Sequence, residues 1–180
     1  MFRLRPLGPY EFDARDVVPP VPATSVELMP ADISLATVVD PERNTTPVSN
    51  RTGTQPGTAI RREAALSEQV QAHLEAQGHE VGRYQIKIKG TTTWLLTDLY
   101  DVTNHVLYEL KGNASRESVR MALGQLLDYS RYVESTTFPG RPQLVVVLPS
   151  PPADDLAGLL AEQGIQLAYL ENGSFTGLPL

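Results

Sequence analysis

Two acids and a lysine lie close together in residues 97–111, which read TDLYDVTNHVLYELK. Asp98 precedes one apolar run, a polar Thr-Asn pair follows that run, and a second apolar run leads to Glu109 and Lys111, so we predict a β-hairpin. Side chains of a strand alternate between its faces, so Glu109 and Lys111 point the same way. We therefore expect two carboxylates and one ammonium group to converge near one end of the hairpin.

This set of side chains suits phosphate chemistry at a metal ion. Carboxylate oxygens are the hard ligands that Mg²⁺ prefers, and protein-bound Mg²⁺ usually keeps waters and contacts substrate phosphates. A neighbouring lysine can orient a metal-bound water or stabilise charge on an attacked phosphate. Glu-x-Lys alone is a weak signal, because it arises by chance about once in 250 positions, and on an exposed strand it is ordinarily a solvated ion pair.

The composition is that of a globular protein with a real core. The chain has 180 residues, of which 41% are hydrophobic and 20% charged, enough for one domain and an appendage. There is no cysteine, which excludes a disulfide framework and a thiolate zinc site. The N-terminal MFRLRPL has no apolar signal core, and no stretch approaches ~18 uninterrupted apolar residues, so we expect a cytoplasmic protein without a membrane partner.

The net charge is −6, which taken as a sum counts against nucleic acid as a partner. Acids gathered at a metal site are neutralised by the ions that they bind, and the basic residues fall in local clusters. The sequence leaves two interpretations of these basic residues equally open: they form a local basic rim, or they are scattered and solvated on the surface.

Residues 1–58 differ in character from the rest of the chain. Phe2 to Arg5 is compatible with a short strand that Pro6 ends, and prolines recur from there to residue 58. Proline lacks a backbone donor and blocks helices, so we interpret residues 1–58 as an extended linker or strap, or the end of an upstream domain, that tethers this domain to another. Residues 59–180 then form the folded domain.

The pattern after residue 58 alternates helices with strands. We predict helices over residues 59–77, 113–133 and 154–163, and strands over 84–89, 95–102, 106–110, 143–148 and 165–170, with a short strand near Phe175. The order of helix, three strands, helix, strand, helix and strand builds a layered α/β domain.

Glu63 is the unusual acid of the first helix. At about 100° per residue it lies within about 60° of Leu66 on the apolar face, whereas Glu68 points almost oppositely. A carboxylate on that face costs free energy unless a metal, or a cation such as Lys111, compensates it. Alternatively, Glu63 occupies the first helical turn, where the helix dipole favours an acid. Both interpretations stay open on the sequence.

Gln125 and Tyr129 lie four residues apart in the second helix and share a face beside its apolar stripe. Placed just after a Glu-x-Lys strand, this pair can reach the same face as the acids or a substrate backbone. The histidines carry no comparable signal. We expect His73 to pack on its helix and both His79 and His105 to be solvated near turns.

These motifs follow one another in a fixed order: the helix acid Glu63, then Asp98, then Glu109-x-Lys111, and finally Gln125-x-x-x-Tyr129. This order resembles the PD-(D/E)XK nuclease superfamily, and the last motif is similar to its RecB-like branch. The resemblance covers residues 59–148. It implies a restriction-endonuclease-like three-layer core made of a helix, a three-stranded meander, a helix and a strand, with an added C-terminal helix and strand.

The sequence departs from the family pattern at one position. Thr97-Asp98 stands where the family has Pro-Asp, although the family tolerates loss of this proline. Asp101 is a rival for the first acid, at a spacing from Glu109 that suits the family less well. Residues 63–129 are also similar to the C-terminal nuclease domains of bacterial modification-dependent restriction proteins.

The resemblance implies a role for each matched residue. Asp98, Glu109 and the carbonyl group of Leu110 would bind Mg²⁺, for which Mn²⁺ would substitute. Lys111 would serve the attacking water, and Glu63 would support the metal site or ligate a metal. The glutamine and tyrosine of the second helix would position the metal site or the DNA backbone.

The implied activity is hydrolysis of a DNA phosphodiester bond by in-line attack of water, as an endonuclease in restriction or antiphage defence. A fused or partner recognition domain would direct it, and a homodimer would suit double-strand cleavage. Two alternatives remain open. One is a catalytically idle nuclease-fold module that binds DNA or protein, against which the intact acid pair and lysine count. The other is a RecB-like exonuclease or repair nuclease.

Overall fold

The structure, a computed structural model, describes residues 35–40, 56–92 and 94–179. The elements in chain order are β1 (Leu35–Val39), α1 (Pro56–Ala76), β2 (Val81–Lys87), β3 (Trp94–Leu96), β4 (Leu99–Asp101), β5 (Val106–Leu110), α2 (Arg116–Tyr129), β6 (Gln143–Leu148), α3 (Asp154–Glu162), β7 (Gln166–Glu171) and β8 (Ser174–Thr176). The strand predicted near the N-terminus lies outside the described residues.

One mixed sheet contains all the strands, in the order β1-β2-β4-β5-β6-β7-β8, with β3 also paired to β2. The hairpin β4–β5 is antiparallel, whereas β5, β6 and β7 run parallel to one another. Parallel neighbours need crossover connections, and α2 and α3 lie on those two connections. The prediction of an α/β domain is therefore confirmed.

The helices cover both faces of this sheet. On β5, Tyr108 packs in one buried cluster with residues of α1, while Leu107 packs in a second cluster with residues of α2 and α3. Successive strand residues face opposite sides. Glu109 and Lys111 therefore lie on the face of the sheet that α2 covers, which we call the α2 face. Leu110 packs on the opposite face, against α1.

The first helix has the predicted apolar face but starts earlier than predicted. Leu66, Val70 and Leu74 are buried as expected, and Gly78 with φ of +86° follows the helix end, a conformation that glycine adopts without strain. Because α1 starts at Pro56, Glu63 lies two turns inside it, and no acid occupies the first turn. The alternative that placed Glu63 at the helix N-terminus is therefore wrong.

The second helix is shorter than predicted. The Ser115 side chain caps it by accepting a hydrogen bond from the Ser118 amide, and the helix ends at Tyr129 rather than near residue 133. Leu127, which the apolar pattern assigned to the core stripe, is 40% exposed. It lies about 100° round the helix from Leu126, beyond the edge of the buried face.

Strand β1 was not predicted. It lies inside the stretch interpreted as a linker or strap, and it pairs antiparallel with β2 along its whole length. Its contact with β2 is close at Gly82, where a Cβ atom would lie 2.7 Å from Val38 Cγ1. The division into residues 1–58 and 59–180 otherwise stays a prediction. Among the helices of the described ranges, none has the length and apolar content to cross a membrane.

The histidines near turns are less exposed than predicted. His105 is 5% exposed; its Nδ1 lies 2.6 Å from the Tyr100 hydroxyl and its Nε2 lies 3.2 Å from the Gly140 carbonyl oxygen. His79 Nδ1 lies 2.8 Å from Asp101 Oδ2. The prediction failed because these partners come from segments whose approach the local pattern does not encode.

Candidate active site

A β-bulge separates β3 from β4. The flanking pairs are Gln85 with Leu96 and Gly82 with Tyr100. Residues 97–99 therefore stand opposite only residues 83–84, so this strand contains one extra residue. Such a bulge bends the strand and re-aims a side chain, and bulges are common beside active sites. Asp98 is the middle residue of the bulge.

The Asp98 carboxylate bridges the bulge to β5. Its Oδ2 accepts a hydrogen bond from the Leu110 amide at 2.7 Å, so a side-chain oxygen takes the place of a main-chain carbonyl between neighbouring strands. The first acid is thereby held beside the last residue of the strand that contains the second. The predicted convergence of the two acids across the hairpin is present in the structure.

Glu109 and Lys111 form a buried ion pair on the α2 face. Lys111 Nζ donates a hydrogen bond to Glu109 Oε1 at 2.6 Å, and Glu109 is only 1% exposed. The solvated ion pair that the sequence left open is therefore excluded. A buried ion pair is a poor source of stability, because desolvation costs about as much as the attraction returns.

Burial disfavours the ionised forms of both acids at the site. Burial, followed by repulsion from Asp98, raises the pKa of Glu109 well above its usual range, and Lys111 offsets this only in part. Burial also raises the pKa of Asp98, against the opposing effects of Lys111 and of the Leu110 amide. Burial lowers the pKa of Lys111, but the charges of Glu109 and Asp98 outweigh it and the net shift is upward. A further cation would stabilise both acids in their ionised forms.

Glu63 reaches the turn that follows β5. Its Oε2 accepts a hydrogen bond from the Gly112 amide at 3.3 Å, and its charge is among those that raise the pKa of Lys111. Glu68 is exposed. Of the two acids that the sequence offered for α1, Glu63 is the one beside the site.

Gln125 and Tyr129 are joined to each other on α2, with Gln125 Nε2 lying 3.4 Å from the Tyr129 hydroxyl oxygen. Tyr129 is buried in the cluster on the α2 face of the sheet. The pair therefore projects from the helix that covers the face of the sheet on which Glu109 lies, and its predicted role at the site stays a prediction.

Asp101, the rival for the first acid, has a different role. It lies at the far end of β4 and is fully buried. Its Oδ1 accepts hydrogen bonds from the amides of Thr103 and Asn104, and its Oδ2 lies 2.8 Å from His79 Nδ1. Asp101 therefore closes the hairpin turn and is separated from Glu109 by the length of β5.

Arg83 is a residue near the site that sequence reasoning missed. It lies on β2 opposite the bulge, and its positive charge is among those that lower the pKa of Asp98. The predicted strand began one residue later, so no pattern pointed to Arg83. Only the pairing of β2 with the bulged strand brings it close.

The candidate site offers two carboxylates to a divalent metal, those of Asp98 and Glu109. Within residues 35–40, 56–92 and 94–179, no three His, Asp or Glu side chains form a group that could hold a metal ion by themselves. Mg²⁺ commonly takes only one or two protein carboxylates, with waters and substrate phosphates completing its shell. Asp98 and Glu109 meet that requirement. The N–H of Leu110 faces Asp98, and in an extended strand the carbonyl of the same residue faces the same neighbour.

No protein-family model, curated protein or solved structure matches the chain. The resemblance to the PD-(D/E)XK superfamily therefore stays a prediction. The geometry of Asp98, Glu109 and Lys111 is independent of that resemblance.

Proposed function

We propose that the protein is a metal-dependent DNA endonuclease that hydrolyses phosphodiester bonds. The observation that carries this proposal is the pair of neighbouring acids, the partly buried Asp98 and the buried Glu109, beside Lys111 at the end of β5. Two carboxylates held together with a single ammonium group destabilise each other's ionised form. Such an arrangement is costly for the fold alone and is well suited to a divalent cation.

The metal ligands in this proposal are two carboxylates and one main-chain carbonyl group. Asp98, Glu109 and the Leu110 carbonyl would hold Mg²⁺ or Mn²⁺, which when bound supplies positive charge to a phosphate oxygen and lowers the pKa of a coordinated water. The Leu110 amide fixes the orientation of the Asp98 carboxylate. Asp98 is thus oriented before substrate arrives, which avoids reorganisation during the reaction.

Lys111 and Glu63 act around those ligands. Lys111 Nζ is held by Glu109, from where it donates a hydrogen bond to the attacking water or to the phosphate on which negative charge develops. Glu63 holds the Gly112 amide and so fixes the turn directly after Lys111. Gln125 and Tyr129 project from α2 on the same face, where they position the metal site or the DNA backbone.

The order of elements supports the same proposal. The described elements run in the order of a helix (α1), an antiparallel meander (β2 to β5), a second helix (α2) and a parallel strand (β6). This is the order that the resemblance to the nuclease superfamily implies. The remaining α3 and β7 fit the added C-terminal helix and strand. A role in restriction or antiphage defence follows from the motif resemblance.

The charge of the chain bears on how DNA reaches the site. A net charge of −6 opposes binding to a phosphate backbone, because non-specific DNA affinity depends on Lys and Arg contacts with phosphates. A recognition domain or partner that is more basic than this chain would therefore bind the DNA and bring it to the site. A homodimer would bring two active sites together for double-strand cleavage.

The test is cleavage of supercoiled plasmid, unmodified and with modified cytosine, in Mg²⁺ or Mn²⁺ and then with a chelator. Wild type, Asp98→Asn and Glu109→Gln are compared with Glu162→Gln, which changes an exposed acid at the end of α3. Metal-dependent nicking by wild type and Glu162→Gln, lost in both site variants, is expected. Digestion of end-labelled linear DNA with no action on closed circles would instead indicate an exonuclease.

A second measurement tests the metal site directly and does not require a partner that brings DNA to it. Calorimetric titration with Mn²⁺ should give a site in wild type that disappears in Asp98→Asn and in Glu109→Gln. If wild type neither binds metal nor cuts any DNA, alone or fused to its natural neighbours, the endonuclease proposal is abandoned in favour of a binding module.

A further inference from the structure

Thr97, the first residue of the bulge, is 1% exposed and makes two hydrogen bonds with one residue of β2. Its amide donates to the Tyr84 carbonyl oxygen at 3.0 Å. Its hydroxyl oxygen accepts a hydrogen bond from the Tyr84 amide at 2.9 Å. A single threonine therefore satisfies both main-chain polar groups of Tyr84, one with its backbone and one with its side chain.

The side-chain bond is needed because of the extra residue. In a regular ladder a main-chain carbonyl would accept from the Tyr84 amide, but a bulge leaves part of the ladder without its partner. Buried backbone N–H groups are almost never left without an acceptor. The Thr97 hydroxyl supplies the acceptor that the bulged strand does not.

The bulge is thus held from both sides by two consecutive side chains. Thr97 bonds to β2 on one side, and Asp98 bonds to the Leu110 amide of β5 on the other. If the hydroxyl were removed, the Tyr84 amide would need a carbonyl from the bulged strand. That exchange requires the strand to shift, and a shift here turns the next residue, Asp98, away from Leu110.

We propose that Thr97 is a positioning residue for the metal site, acting through the bulge that points the Asp98 carboxylate at the Leu110 amide. This inference rests on the proposed function for its catalytic consequence, while the geometric link between Thr97 and Asp98 does not. Proline cannot substitute for Thr97 in this arrangement, since it has neither an N–H for the Tyr84 carbonyl nor a side-chain oxygen for the Tyr84 amide.

The decisive variant is Thr97→Val, which keeps the shape of the side chain and removes the acceptor. Thr97→Ser, which keeps the hydroxyl, is the matched control, and Asp98→Asn is the reference for a lost ligand. Mn²⁺ affinity in Thr97→Val should fall about 10- to 100-fold, the range found when a residue that orients a metal ligand is changed. Thr97→Ser should stay within a few-fold of wild type.

A readout independent of metal and activity is the Leu110 amide resonance in the metal-free, ¹⁵N-labelled protein. Loss of its hydrogen bond to Asp98 should move this resonance in Thr97→Val in the same direction as in Asp98→Asn, with Thr97→Ser at the wild-type position. If Thr97→Val does not fold, Thr97→Ala is measured in its place. A folded Val or Ala variant with wild-type Leu110 resonance and wild-type Mn²⁺ affinity would overturn the inference.

The two proposals fail separately. If wild type binds no metal and cuts no DNA, the endonuclease proposal and the metal-site role of Thr97 are both lost, while a displaced Leu110 resonance in Thr97→Val still establishes that Thr97 orients the Asp98 carboxylate. If wild type cuts DNA and folded Thr97→Val cuts equally well with an undisturbed Leu110 resonance, only the role of Thr97 is rejected.

Discussion

The Leu110 amide donates a 2.7 Å hydrogen bond to Asp98 Oδ2 across the β4–β5 hairpin. A hydrogen bond of this kind favours the ionised carboxylate and opposes the effect of burial on the pKa of Asp98. The same residue, Leu110, contributes the carbonyl that we propose as a metal ligand. The first acid and the main-chain ligand therefore move together, and displacement of β4 against β5 would disturb both.

Lys111→Ala should reduce the single-turnover rate of cleavage by about 10²- to 10³-fold, the usual effect of removing one donor that stabilises developing charge. Metal binding should persist, because Asp98, Glu109 and the Leu110 carbonyl remain. Single-turnover kinetics and calorimetric titration with Mn²⁺ measure the two effects separately. An unchanged single-turnover rate would contradict the role assigned to Lys111.

Asp101→Ala should reduce the stability of the fold, whereas Asp98→Ala should remove the metal site. Asp101 closes the hairpin turn with hydrogen bonds to two amides and to His79, so its loss should lower the free energy of unfolding by about 1–3 kcal/mol and leave metal affinity unchanged. Asp98→Ala should abolish metal binding. Urea denaturation and metal titration of both variants test this, and loss of the metal site in folded Asp101→Ala would reverse our assignment.

The stability of the metal-free protein should depend on pH through Glu109. Its pKa is raised on folding, chiefly by burial and then by Asp98, so the native state binds more protons than the unfolded chain above the unfolded pKa of about 4.3. Its contribution to stability is therefore greatest at low pH and is lost as pH rises towards the raised pKa. The unfolding free energies of wild type and Glu109→Gln should diverge over this window in urea titrations at several pH values. Parallel curves would show that Glu109 is ionised without penalty.

Tyr108→Phe should stabilise the protein by about 1 kcal/mol. The Tyr108 hydroxyl is buried and has no hydrogen-bond partner among the described residues, so its removal relieves a desolvation cost. Tyr84→Phe is the matched control, because the Tyr84 hydroxyl donates to the Glu134 carbonyl oxygen at 2.6 Å and its loss should cost about 1 kcal/mol. Urea denaturation of both variants should give shifts of opposite sign, and a loss of stability in Tyr108→Phe would count against this account.

Gly82→Ala should destabilise the protein by about 1–3 kcal/mol through overpacking. The new Cβ would lie 2.7 Å from Val38 Cγ1 and 3.1 Å from the Val39 carbonyl oxygen. Adding Val38→Ala should recover part of the loss, because it removes the nearer contact. Gly124→Ala in α2, where the new methyl group would meet no described atom within 4 Å apart from the adjoining residues and backbone of its own helix, should raise stability by up to about 1 kcal/mol. Equal effects of the two glycine variants would argue against the β1–β2 pairing.

Local periodicity was enough to predict the elements whose residues follow a simple pattern. The apolar run of β6 and the helix face with Leu66, Val70 and Leu74 were predicted because burial fixes those positions. Strand β1 was missed because its sequence, LATVV, does not alternate polar with apolar residues. The prolines elsewhere in residues 1–58 favoured the interpretation as a linker.

The sequence was enough to predict the residues of the site, but not the bulge and the neighbouring residues that hold them in place. Alternation along β5 placed Glu109 and Lys111 on one face, and the structure agrees. The bulge at Asp98 could not be predicted, because an extra residue is defined only relative to the partner strand. For the same reason nothing in the sequence indicated that Thr97 bonds to Tyr84 or that Arg83 lies near Asp98.

The position of β5 in the sheet has a consequence for inactivation. All five of its residues are buried, and it is paired on both sides, to β4 and to β6. Amides of such a strand exchange with solvent only when the whole domain opens, whereas frayed edges open at little cost. Glu109 and Lys111 therefore share the cooperative unfolding unit of the core, so the proposed activity and the fold should be lost on heating in a single transition.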